Sequence, residues 1–310
     1  MRAIALSGGG NRGPLQVGAL QALAEAGLWP DLWVGTSAGA LNAAYVAARG
    51  TPDALSDLVR LWREVRPQDV YPGNLLTMAW RALRGQDSLY PNQRLRAYIL
   101  DRLPPDVNTF GDLAMPCYIT ATDLRTARLH LFGKELTPDI PLVDGVLASA
   151  TVPGIHPPVA FGELQLVDGG VVDNVPASLA MDRGATEIYA VNVGYGGQPL
   201  QPVHGVHRIL GRVLTTFMAQ SLLTDLDRAV REPQVVLHHI RIPDFPDVRF
   251  NDFSQVDAMV EAGRRRALEY LAAPRPLSAG QVFQEAGLGP NQGAGPLPVF
   301  IPPYRRLPGP

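Results

Sequence analysis

Twice within its first 50 residues the chain runs from a short apolar strand through a glycine-bearing turn into a helix. Ala3-Ile4-Ala5-Leu6 gives way to Ser7 and Gly8-Gly9-Gly10-Asn11-Arg12-Gly13. Leu15, Val17, Leu20 and Leu23 then recur at near-helical spacing until Gly27. Leu32-Trp33-Val34 ends at Gly35-Thr36-Ser37-Ala38-Gly39, which opens an alanine-rich helix closing at Arg49-Gly50. Both strands are apolar throughout, as strands are when a parallel sheet is covered on both faces. Strand, helix and strand in that order imply a right-handed crossover.

The rest of the chain extends this pattern. Helices are predicted over 52–66, 176–182, 207–232 and 254–271, and strands over 116–122, 129–132, 164–167, 187–193 and 235–242. The long helix over 207–232 aligns Leu210, Val213, Leu214, Phe217, Met218 and Leu222 along one side. The expected fold is α/β: three layers, with a mostly parallel central sheet and helices on both faces. Sites in such sheets lie at the carboxyl ends of strands. The segment 67–93 mixes turn residues with Leu75, Leu76, Met78, Trp80 and Leu83. It reads either as a helical insertion packed on the core or as a flap exposed at the surface. One domain is expected over 1–272, followed by a Pro/Gly-rich arm over 273–310, extended or disordered. Val299, Phe300, Ile301 and Tyr304 would give that arm something to bury.

Composition narrows the function. The 310 residues, 46% of them hydrophobic, can bury a core without staples. Cys117 is the only cysteine, so neither an intramolecular disulfide nor a cysteine zinc cluster can form. Lys134 is the only lysine, and the Gly-Lys-Ser/Thr of a phosphate loop is missing. A formal net charge of −2 provides no field for nucleic acid or an anionic membrane. The N-terminal apolar run is too short for a signal peptide, and no apolar stretch reaches the 18 or so residues of a spanning helix. The expectation is a soluble cytoplasmic protein that does not bind nucleic acid.

Three turns carry candidate chemistry. Gly35-Thr36-Ser37-Ala38-Gly39 has the strand-to-helix setting in which a strained turn exposes a nucleophilic hydroxyl. The bland alternative is a serine N-cap between packing glycines. Gly8 to Gly13 fits the dinucleotide pattern Gly-x-Gly-x-x-Gly. However, the acid that pattern requires after the second strand is missing, and Asp31 precedes that strand. Consecutive glycine N–H groups can instead converge on a developing oxyanion, with Arg12 adding charge or anchoring the loop. Asp168-Gly169-Gly170 follows a strand, where an acid can reach a serine at a neighbouring strand end. Asp173 is the second-choice base, and Asp173-Asn174 otherwise read as turn and cap residues. None of His130, His156, His204, His207, His238 and His239 has the setting of a catalytic histidine. A buried aspartate can take that role if its proton affinity is raised.

Taken in order, Gly-Gly-Gly-x-Arg-Gly at 8–13, Gly-Thr-Ser-Ala-Gly at 35–39 and Asp-Gly-Gly at 168–170 resemble the patatin-like phospholipase family. The stretch Ala148 to Pro158 and the extended LVDGGVVDNVP over 166–176 agree, with His156 where an aromatic is common. The segment 252–271 resembles the closing helix of bacterial members. The resemblance implies a Ser37–Asp168 dyad and an oxyanion hole from Gly8, Gly9 and Gly10 near Arg12. Gly13, Gly35, Gly39, Gly169 and Gly170 would shape the turns. It implies acyl transfer from a lipid or other acyl ester to water, with no metal or cofactor. It also leaves room for transient contact with a membrane surface, with 67–93 as lid. An acyltransferase using the same acyl-enzyme, or a non-catalytic lipid-binding scaffold, are the alternatives.

Overall fold

The computed structural model describes residues 1–194 and 202–282. In chain order the first half comprises β1 (Arg2–Leu6), α1 (Gly13–Glu25), β2 (Leu32–Gly35), α2 (Ala38–Arg49), α3 (Ala54–Glu64), α4 (Pro67–Val70), α5 (Leu75–Leu83) and α6 (Gln93–Arg102). There follow β3 (Cys117–Asp123), β4 (Arg128–Gly133), α7 (Leu142–Ser149), β5 (Val159–Phe161), β6 (Leu164–Asp168) and α8 (Ala177–Asp182). The last elements are β7 (Glu187–Asn192), α9 (Val206–Arg231), β8 (Val236–Arg241) and α10 (Val256–Ala272).

The strands form one sheet in the order β5-β6-β3-β2-β1-β7-β8, with β4 also paired to β3. The run β3-β2-β1-β7-β8 is parallel, and β4, β5 and β6 add antiparallel pairs. Alternation along the strands builds two cores. Ile4, Leu6, Trp33, Tyr189 and Val191 face a core shared with α1, α2, α3, α7 and α10. Ala3, Ala5, Val34, Ile188 and Ala190 face a second core with α8 and the C-terminal half of α9. The expected three layers follow from this period of two.

Packing explains where the helices sit. α1 and α10 cross backbone to backbone: a Cβ on Gly18 would strike the Val260 carbonyl, and one on Gly263 the Leu15 carbonyl. α2 ends at Gly50, whose φ of +76° a side chain would resist, and whose N–H closes on the Val46 carbonyl at 2.8 Å. α6, α7 and β5 escape the sequence reading. β5 has three residues, and Gly145 interrupts α7, where a side chain would meet the ring of Phe110 at 2.6 Å.

Two elements differ from expectation. In α5 no residue is buried, whereas Val70 packs on the first core and Tyr90 is buried, so 67–93 is exposed over α5 and packed inward on either side of it. In α9 the apolar side is covered only towards the C-terminus: Leu222 is buried, whereas Leu210, Val213 and Phe217 are exposed. The start of the 273–310 arm is docked. The N–H of Leu277 donates to the carbonyl of Leu237 at 2.7 Å, and Val282 is fully buried in the second core. Val299, Phe300, Ile301 and Tyr304 lie outside the described residues.

Candidate active site

The site lies where β2 and β6 meet. β4 pairs with β3 from Tyr118 to Asp123 and so occupies one whole edge of it. The other edge is divided: β2 pairs with Cys117–Ile119, and β6 with Ala121–Asp123 in the opposite direction. The carboxyl ends of β2 and β6 therefore run towards each other. Gly35 pairs with Ile119 and Asp168 with Ala121, two residues further on. The acid thus reaches the serine by facing it across a shared edge, not as the end of a hydrogen-bonded neighbouring strand.

Ser37 sits at the turn between β2 and α2 with φ +55° and ψ −119°, outside the regions an L side chain prefers. Such a residue costs on the order of 1–3 kcal/mol and needs its surroundings to hold it. Its N–H donates to Ser149 Oγ at 2.8 Å. The neighbouring Thr36 hydroxyl bonds Thr120 Oγ1 at 2.7 Å and donates to the Asp173 carbonyl at 3.1 Å. Side chains are excluded on either side: a Cβ on Gly35 would strike the Gly39 carbonyl, and one on Gly39 the Leu6 carbonyl.

Asp168 is buried, and its carboxyl lies near enough to the Ser37 side chain for that hydroxyl to act on its proton affinity. It also accepts from the Gly170 N–H at 2.8 Å. Burial pushes its pKa up to about 6, against the opposing pull of the Ser37 hydroxyl and the Gly170 N–H. Gly169 packs so tightly on Thr120 that a Cβ would overlap its hydroxyl.

The glycine loop abuts this pair, since a Cβ on Gly8 would lie 3.4 Å from Ser37 Cβ. The Gly8 N–H is already engaged, donating to the Asn174 carbonyl at 3.0 Å, so Gly8 shapes the loop and does not donate from it. The N–H groups of Gly9, Gly10 and Ala38 have no acceptor among the described residues. Gly10 has φ +58°, a conformation glycine adopts without strain. Arg12 anchors the loop: its guanidinium donates to the carbonyls of Gly9 and Gly194 at 3.4 and 3.3 Å. Burial lowers its pKa. Gly13 lies against the Trp62 indole, with no room for a Cβ.

Behind Asp168 the cap reading of Asp173-Asn174 fails. The carboxylate of Asp225, from α9, accepts from the N–H groups of Ala177 and Ser178 at the start of α8 and from the Ser178 hydroxyl. Asp173 is buried beside Asp225, with one carboxyl oxygen lacking a partner, and burial together with that neighbouring acid holds its pKa well above the ordinary value. Asn174 turns its side-chain oxygen, also without a partner, towards Gly8 and Gly170.

From Ser37 an apolar pocket runs between α2, α3, α6 and α7. It contains about 990 Å³ of empty space, counting its mouth. Ala38, Leu41, Ala44 and Tyr45 line it along α2, so it follows that helix about two turns, or roughly 12 Å, from the serine. Leu58, Trp62, Ile99 and Val146 close its sides. His156 and Tyr71 stack at 5.8 Å on its wall, and His156 Nε2 bonds the Val70 carbonyl at 2.8 Å. Among the described residues no histidine is hydrogen-bonded to Ser37. His130 packs on Phe132 at 4.7 Å, and His238 bonds the Tyr270 hydroxyl at 2.8 Å.

The sequence profile described as Patatin-like phospholipase matches residues 4–181, more than half of the chain and all of the turns above. The chain belongs to the patatin-like phospholipase family. An uncharacterized NTE family protein of Mycobacterium tuberculosis (strain CDC 1551 / Oshkosh) is 30% identical over 294 residues, covering 87% of this chain and 46% of the relative. Patatin-like phospholipase domain-containing protein 7 of Rattus norvegicus is 31% identical over 197 residues, 62% of this chain and 13% of that protein. The chain thus spans less than half the length of either relative. Among solved structures, VipD from Legionella pneumophila aligns at 15% identity with a TM-score of 0.47, over 93% of this chain and 71% of VipD. Human GIVD cytosolic phospholipase A2 in complex with methyl gamma-linolenyl fluorophosphonate aligns at 13% identity and 0.47, over 92% and 59%.

Within this patatin-like frame the sequence reading names the serine, the acid and the loop, but gives no role to Ser149 or Asp225. Ser149 was within reach, since it lies in the stretch 148–158 that carries part of the family resemblance. Asp225 leaves no local signal, because it caps a helix 47 residues away.

Proposed function

We propose that this protein is a serine lipid acyl hydrolase in which Ser37 is the nucleophile and Asp168 the base. The observation that carries this reading is Ser37, strained at its turn and beside the buried Asp168, at one end of a long apolar pocket. As Ser37 Oγ bonds to the ester carbonyl carbon, Asp168 takes the hydroxyl proton. The carbonyl oxygen becomes an oxyanion facing the unengaged N–H groups of Gly9, Gly10 and Ala38 at the positive end of α2. The intermediate then expels the alcohol, which takes the proton from Asp168, and leaves the acyl group on Ser37. A water molecule gives a proton to Asp168 and attacks the acyl carbon; the acyl carbon–Oγ bond then breaks, Ser37 Oγ takes the proton from Asp168, and the carboxylic acid leaves with both residues restored.

A carboxylate of ordinary acidity is too weak a base for this work. Burial that raises the pKa to about 6 brings its proton affinity nearer to what base catalysis near neutrality requires. The pocket would hold the acyl chain along α2, with the head group or alcohol outside. Access from a membrane surface belongs to the same reading. The test is turnover of a series of p-nitrophenyl esters from short to long acyl chains, followed by mass analysis of products from phospholipid and lysophospholipid. Release of free fatty acid by the wild type, absent in Ser37→Ala, supports the proposal. Equal release by Ser37→Ala overturns it.

A further inference from the structure

We propose that α5 and the N-terminal half of α9 form a two-part docking surface for an anionic lipid bilayer; the inference rests on the lipid-acyl reading for its purpose but not for its physics. α5 inverts the usual arrangement of a surface helix. Leu75, Leu76, Trp80 and Leu83 are 81%, 81%, 59% and 85% exposed. At about 100° per residue these four lie within an arc of roughly 140°, one continuous apolar stripe. The opposite side tethers the helix: Met78 Sδ accepts from the Tyr90 hydroxyl at 3.1 Å, and Arg81 Nε donates to the Ser88 carbonyl at 2.9 Å. The helix is thus held by its polar and sulfur contacts with its leucines facing out. On α9, Val206, Ile209, Leu210, Val213 and Phe217 are exposed as well.

Both parts border the site. Phe250, itself exposed, packs edge-on at 4.9 Å against Tyr71 of the pocket wall, and Tyr71 also meets Tyr90, the tether of α5, at 5.5 Å. Further along α9, Met218 Cε lies 3.1 Å from where a Gly170 Cβ would stand, beside Asp168. A lipid drawn from a bilayer against these two elements would have its ester next to Ser37.

Charge selects the occupant. Residues 71–86 and 202–224 contain four arginines and no aspartate or glutamate, in a chain whose net charge is −2. The whole-chain charge, which offers no attraction to an anionic membrane, conceals this separation. Arg84 lies over the Trp80 ring at 4.3 Å, next to the exposed leucines. An anionic bilayer supplies both hydrocarbon for the leucines and phosphate for Arg84. A second copy pairing through the same stretches would bring like charge to like charge, with no acid in either stretch to offset it.

The experiment is co-sedimentation of the full chain with phosphatidylcholine vesicles, with and without about one-third phosphatidylglycerol. It compares the wild type with Leu75→Ser/Leu76→Ser/Leu83→Ser and with Val213→Ser/Phe217→Ser. The expected result is at least about tenfold tighter binding to the anionic vesicles, weakened by salt. Each variant should lose at least about tenfold of it while hydrolysing a short soluble ester at the wild-type rate. Wild type that does not sediment, variants that bind as wild type does, or a dimer in light scattering that the triple variant dissolves would each overturn the proposal. All substituted positions are exposed, and the two variants lie on separate helices, so a folding defect in one leaves the other to decide. Vesicle binding without ester turnover would leave the docking surface standing and remove the hydrolase reading. Turnover without binding would do the reverse.

Discussion

Asp168 keeps its proton to a higher pH in the folded protein than in an open chain, because burial outweighs the pull of the Ser37 hydroxyl and the Gly170 N–H. Its contribution to stability is therefore complete below the ordinary carboxyl value of 3.8 and is lost as pH rises through about 6. Asp168→Asn should unfold at higher temperature than the wild type at pH 8, by about 2 kcal/mol of added stability, with the difference shrinking at pH 5. The same variant should lose at least ~10³ in kcat/KM, and wild-type kcat/KM should rise with pH through about 6. Thermal unfolding and ester hydrolysis at both pH values check this. Ser149 holds the Ser37 N–H, at 2.8 Å. Ser149→Ala leaves a buried N–H without an acceptor beside a strained backbone, and should cost about 1–3 kcal/mol of stability. It should lower kcat about 10–100-fold at unchanged KM, with Ser149→Thr recovering part of the loss. At this scale Ser37, Asp168 and the glycines were legible because their setting is local: a strand end, a tight turn, a helix start. The contacts of Ser149 and Asp225 were not, because their partners lie 112 and 47 residues away, although Ser149 itself falls in the stretch 148–158 that carries part of the resemblance.

The pocket is a property of elements. α2 supplies small residues towards its start and Tyr45 two turns on, while α6 and α7, absent from the sequence reading, supply the opposite side. Ala44→Phe should fill the space about two turns from the serine. Hydrolysis of long-chain esters should fall at least about tenfold while short-chain esters turn over as before, as read from kcat/KM across a chain-length series. Equal loss at every length would place the acyl chain elsewhere. The periodicity of α9 was legible, and in α5 only the mixture of apolar and turn residues, but not the side from which either apolar face is covered. A stripe of leucines looks the same whether a sheet or a solvent-facing rim lies against it. The head-on meeting of β2 and β6 was hidden for a related reason, since strand pattern reveals burial but not the direction of pairing.

Across the whole molecule, the fold continues past the segment that carries the family match. That match ends at residue 181, yet β7 and β8 extend the sheet and α9 and α10 complete its two covering layers. Gly263→Val would force α10 off the Leu15 carbonyl and should lower Tm by many degrees, because nothing flexible can yield there. Deleting residues 274–310 removes Val282 from the second core and should destabilise by about 1–2 kcal/mol, read by urea unfolding. The central claim remains an activated serine, and the most direct measurement is intact mass after exposure to a fluorophosphonate. A single adduct on the wild type, absent from Ser37→Ala and slow to form on Asp168→Asn, is the predicted result. No adduct on the folded wild type, or an adduct that survives in Ser37→Ala, would contradict it.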